Sequence, residues 1–296
     1  MKIPALNIHQ FLDKKPLDSL YVNSFATHLV INQNLINKPH SHNFYLCVVF
    51  TKGTGTHEID FNTYSIEPGM VFLLKPGQTH FWKFDSQPEG YIFFHSQEFY
   101  ELKYLDHTLS SFPFYYSNQN PPYLKLPLEK LGYLLNHFKE LFTEYQESNP
   151  LREAKITNLI NYIYIELTRV YTADVTIEKL GSTNYVKILE RLEGLINIHF
   201  YKQKLPKFYA SKLHISTKHL NRVVQKTINK TTSQLISERI LLEAKRLIVH
   251  SNDNLAGIAH TLEFSDYAYF SKFFKSKVGM TPMEFRKMYF NRINHY

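Results

Sequence analysis

The chain has 296 residues, enough for two domains, and its hydrophobic fraction of 44% is that of a folded protein rather than a disordered one. No apolar run approaches the roughly 20 residues that span a bilayer, and the first residues lack the apolar stretch of a signal peptide. Cys47 is the only cysteine, which excludes a disulfide framework and a cysteine-based zinc site. These features predict a cytoplasmic protein without a membrane partner.

The net charge of +8 is unevenly distributed along the chain. Residues 1–185 hold 15 lysines and arginines against 18 acidic residues, a net charge of −3. Residues 186–296 hold 19 against 8, a net charge of +11. A basic C-terminal third beside a mildly acidic remainder indicates that one part meets a polyanion. A basic surface with no such partner would give the same imbalance, so charge alone leaves both interpretations open.

Short runs rich in β-branched and aromatic residues occupy about residues 25 to 96. Glycine and proline separate them at Gly53-Thr54-Gly55, at Glu67-Pro68-Gly69 and at Pro76-Gly77. The predicted strands are 44–50, 57–66, 70–74, 80–84 and 91–95. Several short strands at this spacing predict an all-β sandwich or barrel.

The period changes to that of helices after residue 126. One apolar stripe contains Leu128, Leu131, Leu135, Phe138, Phe142 and Tyr145, and a second contains Ile156, Leu159, Ile160, Ile163, Leu167 and Val170. They predict a helical hairpin over 127–171 that packs on the β domain, on a second copy of the chain, or on both, with homodimerisation favoured. Residues 172–184 have weak periodicity and predict a linker.

A first helix-turn-helix pattern occupies about residues 206–226. Pro206 suits a helix start, and Ser216 is placed as the N-cap of a second helix whose Leu220, Val223 and Val224 face its partner. The opposite face carries Lys218, His219, Asn221, Arg222, Gln225 and Lys226, which suit hydrogen bonds to base edges or contacts with phosphates. Taken singly, an ordinary amphipathic hairpin with a solvated basic face fits this unit equally well.

A second copy of the pattern follows 49 residues later, with Ala259 in the place of Ala210. Phe264 fills the turn, Ser265 or Asp266 caps the next helix, and Phe270, Phe273 and Phe274 line its inner face. The outer face carries Tyr267, Tyr269, Ser271, Lys272 and Lys275. A helix over 233–249 joins the two units, and successive major grooves on one DNA face require about 34 Å between the reading helices.

The stretch 255–286 resembles the C-terminal signature of the AraC/XylS family of bacterial transcription regulators. The matching residues are Ile258-Ala259, Phe264, Tyr269-Phe270, Phe274-Lys275, Gly279, Thr281-Pro282 and Phe285-Arg286. The resemblance covers about the last 110 residues and implies two helix-turn-helix units that bind double-stranded DNA, with RNA polymerase as a further partner if the protein is an activator. It implies DNA contacts from Lys218, Asn221 and Arg222 and from Tyr267, Ala268 and Lys272.

The chain departs from this family at four positions. His214 and Glu263 stand in the turns where the family often has glycine, and Asn229 stands where it favours glycine after the first recognition helix. Histidine and asparagine tolerate a positive φ better than glutamate does. Ala268 has no hydrogen-bonding group for a base, so that position suits a thymine methyl.

The β-rich region resembles the cupin-like barrel that serves as the effector domain in many members of the family. The matching residues are Pro39–His42, Gly53–Gly55, Glu67–Gly69 and Pro76–His80. The candidate effector pocket comprises His40, His42, Phe44, His80 and Trp82. A sugar is the first expectation for the effector by family analogy, and an aromatic or other metabolite is the alternative.

A metal-dependent cupin enzyme fused to a DNA-binding domain is the main alternative function. His40 and His42 share a strand face and His80 would complete a three-histidine site. Metal-binding cupins also supply a glutamate shortly after the second histidine, where this chain has Tyr45, Leu46 and Cys47. We therefore expect no metal, no cofactor and no enzyme. A third alternative is a constitutive DNA binder without an effector.

The sequence thus predicts an α+β multidomain regulator. Its parts are an N-terminal cupin-like β-barrel over 1–126, a dimerisation hairpin over 127–171, a linker over 172–184, and an all-α domain with two helix-turn-helix units over 185–296.

Overall fold

The computed structural model describes residues 4–11, 19–104, 109–117, 120–173, 183–251 and 253–294. The chain divides into two compact units, residues 4–176 and 177–296. The first unit is rich in β-strands and the second is helical, which confirms the predicted α+β fold class. Within the described residues, no helix is both long enough and apolar enough to cross a membrane.

Two five-stranded sheets form the first unit. The strands are β1 (Ala5–Leu6), β2 (Leu20–Ser24), β3 (His40–His42), β4 (Tyr45–Lys52), β5 (Gly55–Ile59), β6 (Asn62–Ile66), β7 (Met70–Leu74), β8 (Thr79–Phe84), β9 (Glu89–His95) and β10 (Tyr123–Lys125). Sheet 1 has the order β1-β3-β8-β5-β6 and sheet 2 the order β10-β7-β4-β9-β2. Neighbouring strands are antiparallel except β1 and β3.

The inner faces of the two sheets share one hydrophobic core. Strand β4 shows how alternation builds it: Leu46, Val48 and Phe50 point into this core, whereas Cys47 and Val49 point to the opposite face of sheet 2. Trp82 of sheet 1 joins the same core. The region between the sheets is therefore a buried core rich in aromatic side chains.

Helices cover the outer face of sheet 2. The helices of the first unit are α1 (Phe25–Ile31), α2 (Gln33–Ile36), α3 (Gln97–Glu101), α4 (Pro113–Tyr116), α5 (Leu128–Gln146) and α6 (Arg152–Tyr171). Helices α5 and α6 form the predicted hairpin, and their buried side chains join Cys47, Val49 and Phe93 in a second core. The hairpin therefore packs on the sheet of its own domain.

The apolar seam of the hairpin differs from the prediction. Leu134 and Leu141 are fully buried although the prediction omitted them, whereas the predicted Leu128 is 89% exposed. The fully buried stripe on α5 is Leu134, Phe138, Leu141 and Tyr145. The predicted Leu131, Leu135 and Phe142 flank it, partly buried against the same core, because a broad sheet covers a wider face of the helix than a narrow seam does.

Two strand predictions were also wrong. Residues 57–66 form two strands rather than one, because Asp60 and Phe61 turn with φ of 46° and 70°. The first strand is β1 at Ala5, ahead of the predicted start at Phe25, and Phe25 itself begins helix α1. The Ser24 hydroxyl caps that helix by accepting the Thr27 N–H at 3.3 Å.

The second unit consists of helices among its described residues. They are α7 (Thr183–His199), α8 (Pro206–Lys212), α9 (Thr217–Ile228), α10 (Thr232–His250), α11 (Leu255–Thr261), α12 (Tyr267–Val278) and α13 (Pro282–Asn294). Most of the predicted linker, residues 174–182, lies outside the described residues.

Candidate DNA interface and ligand-binding interior

The first helix-turn-helix unit consists of α8, the turn at His214 and α9. Leu220, Val223 and Val224 are fully buried, as their i, i+3, i+4 spacing predicts. The Ser216 hydroxyl accepts the His219 N–H at 3.1 Å and so caps α9. His214 adopts a left-handed backbone with φ of 56°, which lets the chain reverse between the helices.

The outer face of α9 is exposed and basic. Lys218, Arg222, Gln225 and Lys226 are exposed and His219 is half-buried. Arg222 donates a hydrogen bond to Nδ1 of His219 at 2.6 Å, which holds its guanidinium along the face of the helix. Side chains of this kind bind guanine edges and phosphates.

Asn221 has a structural role that the sequence did not reveal. Its Oδ1 accepts the backbone N–H of Thr232 at 3.2 Å, at the start of α10. An asparagine needs both its oxygen and its amide nitrogen to bind adenine through two hydrogen bonds. In this conformation the oxygen of Asn221 connects α9 to α10, and its amide nitrogen remains for DNA.

The second helix-turn-helix unit consists of α11, the turn at Glu263 and α12. Phe270 and Phe274 are fully buried, whereas the predicted inner residue Phe273 is half-buried and packs on Phe264 with ring centroids 5.2 Å apart. Asp266, not Ser265, caps α12 by accepting the Tyr269 N–H at 2.7 Å. That backbone hydrogen bond lowers the pKa of the Asp266 carboxyl.

The outer face of α12 combines aromatic and basic side chains. Tyr267, Ala268, Tyr269, Lys272 and Lys275 are exposed, and Ser271 is half-buried. This face presents hydroxyls and ammonium groups suited to phosphates, together with the Ala268 methyl group.

Helix α10 joins the two helix-turn-helix units. Arg239 of α10 donates to Asn197 Oδ1 at 2.9 Å, pairs with Glu243 at 2.9 Å, and lies 4.0 Å from the centroid of the Phe200 ring. Beyond α10, Arg286 of α13 donates to the carbonyl oxygens of Ile248 and Asp253. These contacts fix α7 and α13 on α10.

The five predicted pocket residues are brought together in the interior between the sheets. His40 pairs with His80 across β3 and β8, and all of His40, His42, Phe44, His80 and Trp82 are buried. The structure adds His57, which pairs with Trp82 across β5 and β8. We call His40, His42, His57, His80 and Trp82 the histidine cluster. Sequence reasoning missed His57, although its alternation with Ile59 on β5 was the available signal.

Hydrogen bonds determine which ring nitrogens of the cluster accept and which donate. Nδ1 of His42 lies 2.7 Å from the carbonyl oxygen of Phe44, so in the neutral ring Nδ1 carries the proton and Nε2 is an acceptor. Nε2 of His57 lies 3.0 Å from Nδ1 of His80. Whichever of these two atoms donates, the remaining nitrogens of this pair comprise one donor and one acceptor.

Four buried nitrogen atoms of the cluster have no hydrogen-bond partner among the described residues. They are Nε2 of His42, Nδ1 of His57, Nε2 of His80 and Nε1 of Trp82. An unpartnered buried polar atom costs about 1–3 kcal/mol. Four in one cluster mark a place where ordered water or a polar ligand would find hydrogen-bond partners.

The histidines of the cluster are held neutral. Burial, followed by the neighbouring His40, lowers the pKa of His42 to about 3. Burial, followed by the other histidines, places the pKa of His57 and of His80 well below the usual 6.5. In the described part of the chain, no group of three or more histidine, cysteine or carboxylate side chains is arranged to hold a metal ion.

Known protein families match both the two-sheet unit and the helical unit of the chain. A family model described as an AraC-like ligand binding domain matches residues 25–160, and one described as a helix-turn-helix domain matches residues 209–288. The HTH-type transcriptional activator RhaS of Escherichia fergusonii is 21% identical over 249 residues, 84% of this chain and 87% of that protein.

The protein is an AraC-type transcription regulator.

Two further proteins are similar to parts or all of this AraC-type regulator. The uncharacterized HTH-type transcriptional regulator YisR of Bacillus subtilis is 33% identical over 90 residues, 30% of this chain and 31% of that protein. A solved structure of ToxT from Vibrio cholerae covers 91% of this chain and 98% of that chain, with 14% identity and a TM-score of 0.42.

The two matched regions contain the two sites described above. The ligand-binding match includes the whole histidine cluster, and the helix-turn-helix match includes α9 and α12 with their exposed faces. The predicted regulator with a ligand-binding domain and a DNA-binding domain is therefore confirmed.

Proposed function

We propose that this AraC-type regulator reads a bipartite DNA site with α9 and α12 and is controlled by an uncharged small molecule bound at the histidine cluster. The observation that carries the proposal is the pair of helix-turn-helix units, each with a capped second helix whose exposed face is basic. The net charge of +11 over residues 186–296 supports a polyanionic partner.

The DNA contacts fall into two groups in this proposal. Arg222, held along α9 by His219, reads base edges together with the amide nitrogen of Asn221. Ala268 packs on a thymine methyl, and the remaining outer residues contact phosphates. Those remaining residues are Lys218, His219, Gln225, Lys226, Tyr267, Tyr269, Ser271, Lys272 and Lys275.

The hydrogen-bonding groups of the histidine cluster favour an uncharged effector with both donors and acceptors. Nε2 of His42 accepts, Nε1 of Trp82 donates, and the pair of His57 and His80 offers one of each. The buried residues of the interior include no lysine or arginine among those described, so a carboxylate or phosphate would meet no cation there. A sugar or another polyhydroxylated metabolite fits this chemistry.

Effector control then acts through two DNA-binding states. In this proposal, a ligand between the sheets changes the packing of sheet 2 on α5 and α6, and a homodimer transmits the change to the spacing of its DNA-binding domains. The effector shifts the equilibrium only by its difference in affinity for the two states. We also propose that the protein acts on DNA in the cytoplasm, contacts RNA polymerase if it activates, and catalyses no reaction.

The experiment uses Trp82, the only tryptophan of the chain, as reporter. Neutral monosaccharides and the corresponding uronic acids are titrated separately while tryptophan fluorescence and operator affinity are recorded, with zinc chloride as a third probe. We expect a neutral sugar to change both readouts in the wild type and neither in His42→Phe. A response to uronic acids alone or to zinc alone, or unchanged operator affinity with every probe, would contradict the proposed control.

A further inference from the structure

Lys204 connects the loop ahead of the first helix-turn-helix unit to the turn of the second. It lies in the loop between α7 and α8, ahead of the first unit. Its Nζ donates a hydrogen bond to the carbonyl oxygen of Glu263 at 2.6 Å and lies 4.0 Å from the centroid of the Phe264 ring. Both contacted residues form the turn of the second unit, about sixty positions later in the chain.

The turn that Lys204 contacts determines the position of α12. Its backbone is held on α11, because the N–H of Glu263 bonds to His260 and that of Phe264 bonds to Ala259. The Phe264 ring lies 5.2 Å from the ring of Phe270 on α12. The Lys204 ammonium group over the Phe264 ring therefore lies where α11 and α12 of the second helix-turn-helix unit meet.

Hydrogen bonds hold the loop that carries Lys204 against the first helix-turn-helix unit. The N–H of Gln203 donates to His199 at 2.8 Å, and the carbonyl oxygen of Gln203 accepts the Tyr209 hydroxyl at 2.6 Å. Tyr209 belongs to α8, which packs on α9. The backbone of Lys204 is therefore held next to the first helix-turn-helix unit, and its ammonium group is bound to the turn of the second.

The partial burial of Lys204 agrees with this arrangement. The side chain is half-buried, and burial lowers its pKa, with the nearby Glu263 opposing the effect. A lysine serving only as a phosphate contact would keep its ammonium group in solvent.

We propose that Lys204 is a positioning residue for DNA reading, holding α12 at the spacing and angle from α9 that one bipartite site requires. Helix α10 connects the two helix-turn-helix units covalently. The Lys204 contact adds a second connection that does not involve α10. This inference rests on the proposed function, in which both recognition helices bind DNA.

The test compares three DNA duplexes. The first carries the site selected by the wild-type protein from random sequence, the second has two extra base pairs between its elements, and the third has the α12 element scrambled. Lys204→Met removes the ammonium group and keeps most of the chain length. Lys202→Met, an exposed lysine in the same loop, is the matched control.

We expect Lys204→Met to bind the selected site about tenfold more weakly than the wild type, within the usual range of coupling between sites. Its affinity for the scrambled duplex should match that of the wild type, and its preference for the selected over the lengthened duplex should shrink. Lys204→Arg should restore that preference, and Lys202→Met should behave as the wild type. Phe264→Leu, which keeps the hydrogen bond but removes the ring, should give an intermediate effect.

Two results would overturn the inference alone. One is an unchanged spacing preference in Lys204→Met. The other is an equal loss on all three duplexes with a reduced salt slope, which would make Lys204 a phosphate contact. Selection of a single-element site by the wild type would instead overturn the proposed bipartite reading, and this inference with it.

Discussion

His214 and Glu263 occupy equivalent turns, 49 residues apart, and both adopt a left-handed backbone, with φ of 56° and 51°. In each turn the following N–H bonds to the alanine at the helix crossing, from Ile215 to Ala210 and from Phe264 to Ala259. Both turns therefore adopt the same left-handed backbone conformation, which neither side chain favours. This turn geometry sets the angle between the two helices of each helix-turn-helix unit.

Glu263→Gly should stabilise the helical unit. Glycine adopts a positive φ without the steric cost that glutamate bears, and the gain exceeds the flexibility it adds to the unfolded chain. We expect the free energy of unfolding to rise by about 0.5–1 kcal/mol, measured by urea denaturation followed by circular dichroism. His214→Gly is the matched comparison and should gain less, because histidine tolerates this conformation better. A loss of stability in Glu263→Gly would contradict the strain argument.

Arg222→Ala and Lys275→Ala should weaken DNA binding in different ways. Loss of Arg222 should cost about 1–3 kcal/mol of discrimination at particular bases. Loss of Lys275 should weaken binding to all sequences and reduce the salt slope by about 0.9. The measurement is affinity for the selected site and for single-base variants at several salt concentrations, with each variant serving as the control for the other. A uniform loss for Arg222→Ala would make it a phosphate contact.

Acid should destabilise the two-sheet unit through its buried histidines. These histidines are neutral in the folded state, with the pKa of His42 lowered to about 3, whereas in the unfolded chain they take up a proton below about 6.5. The unfolded state binds more protons between these values, so stability is full above pH 6.5 and falls as the pH drops towards 3. The slope reaches about 1.4 kcal/mol per pH unit for each histidine.

The measurement is urea unfolding between pH 7.5 and 4 followed by Trp82 fluorescence. His42→Gln should flatten the dependence, since one group no longer titrates on unfolding. His9→Gln, at an exposed histidine outside the cluster, is the matched control. Stability that does not change over this pH range would contradict the neutral, buried state of the cluster.

Tyr164→Phe should loosen the hairpin from sheet 2. The Tyr164 hydroxyl donates to Nε2 of His95 at 2.8 Å and accepts from the Tyr115 hydroxyl at 3.2 Å, and all three side chains are buried. Its removal leaves the ring nitrogen without a partner, at a cost of about 1–3 kcal/mol. Tyr133→Phe, on the exposed face of α5, should change the free energy of unfolding by less than about 0.5 kcal/mol. Equal effects of the two variants would show that this network does not join the hairpin to the sheet.

The sequence predicted the helical unit in most of its detail. The i, i+3, i+4 apolar spacing of α9 and the Ser216 cap are local signals, and both appear in the structure. Helical periodicity and capping depend on neighbours within four residues, so a single sequence contains the information.

The two-sheet unit was predicted less well because its contacts are distant in the chain. His57 enters the histidine cluster only through the pairing of β5 with β8, and no local pattern gives that register. The turn at Asp60 and Phe61 lacks glycine, so two strands resembled one. The buried face of α5 is wider than the predicted stripe, because its partner is a sheet formed from strands far earlier in the chain. Lys204 was missed for the same reason, since Glu263 lies 59 residues away.

Selection of bound fragments from random-sequence DNA by the purified protein tests the proposed bipartite reading most directly. Reading by both α9 and α12 predicts one defined site whose two sequence elements lie about one DNA turn apart, near 34 Å. Binding that weakens with salt but shows no sequence preference would contradict it.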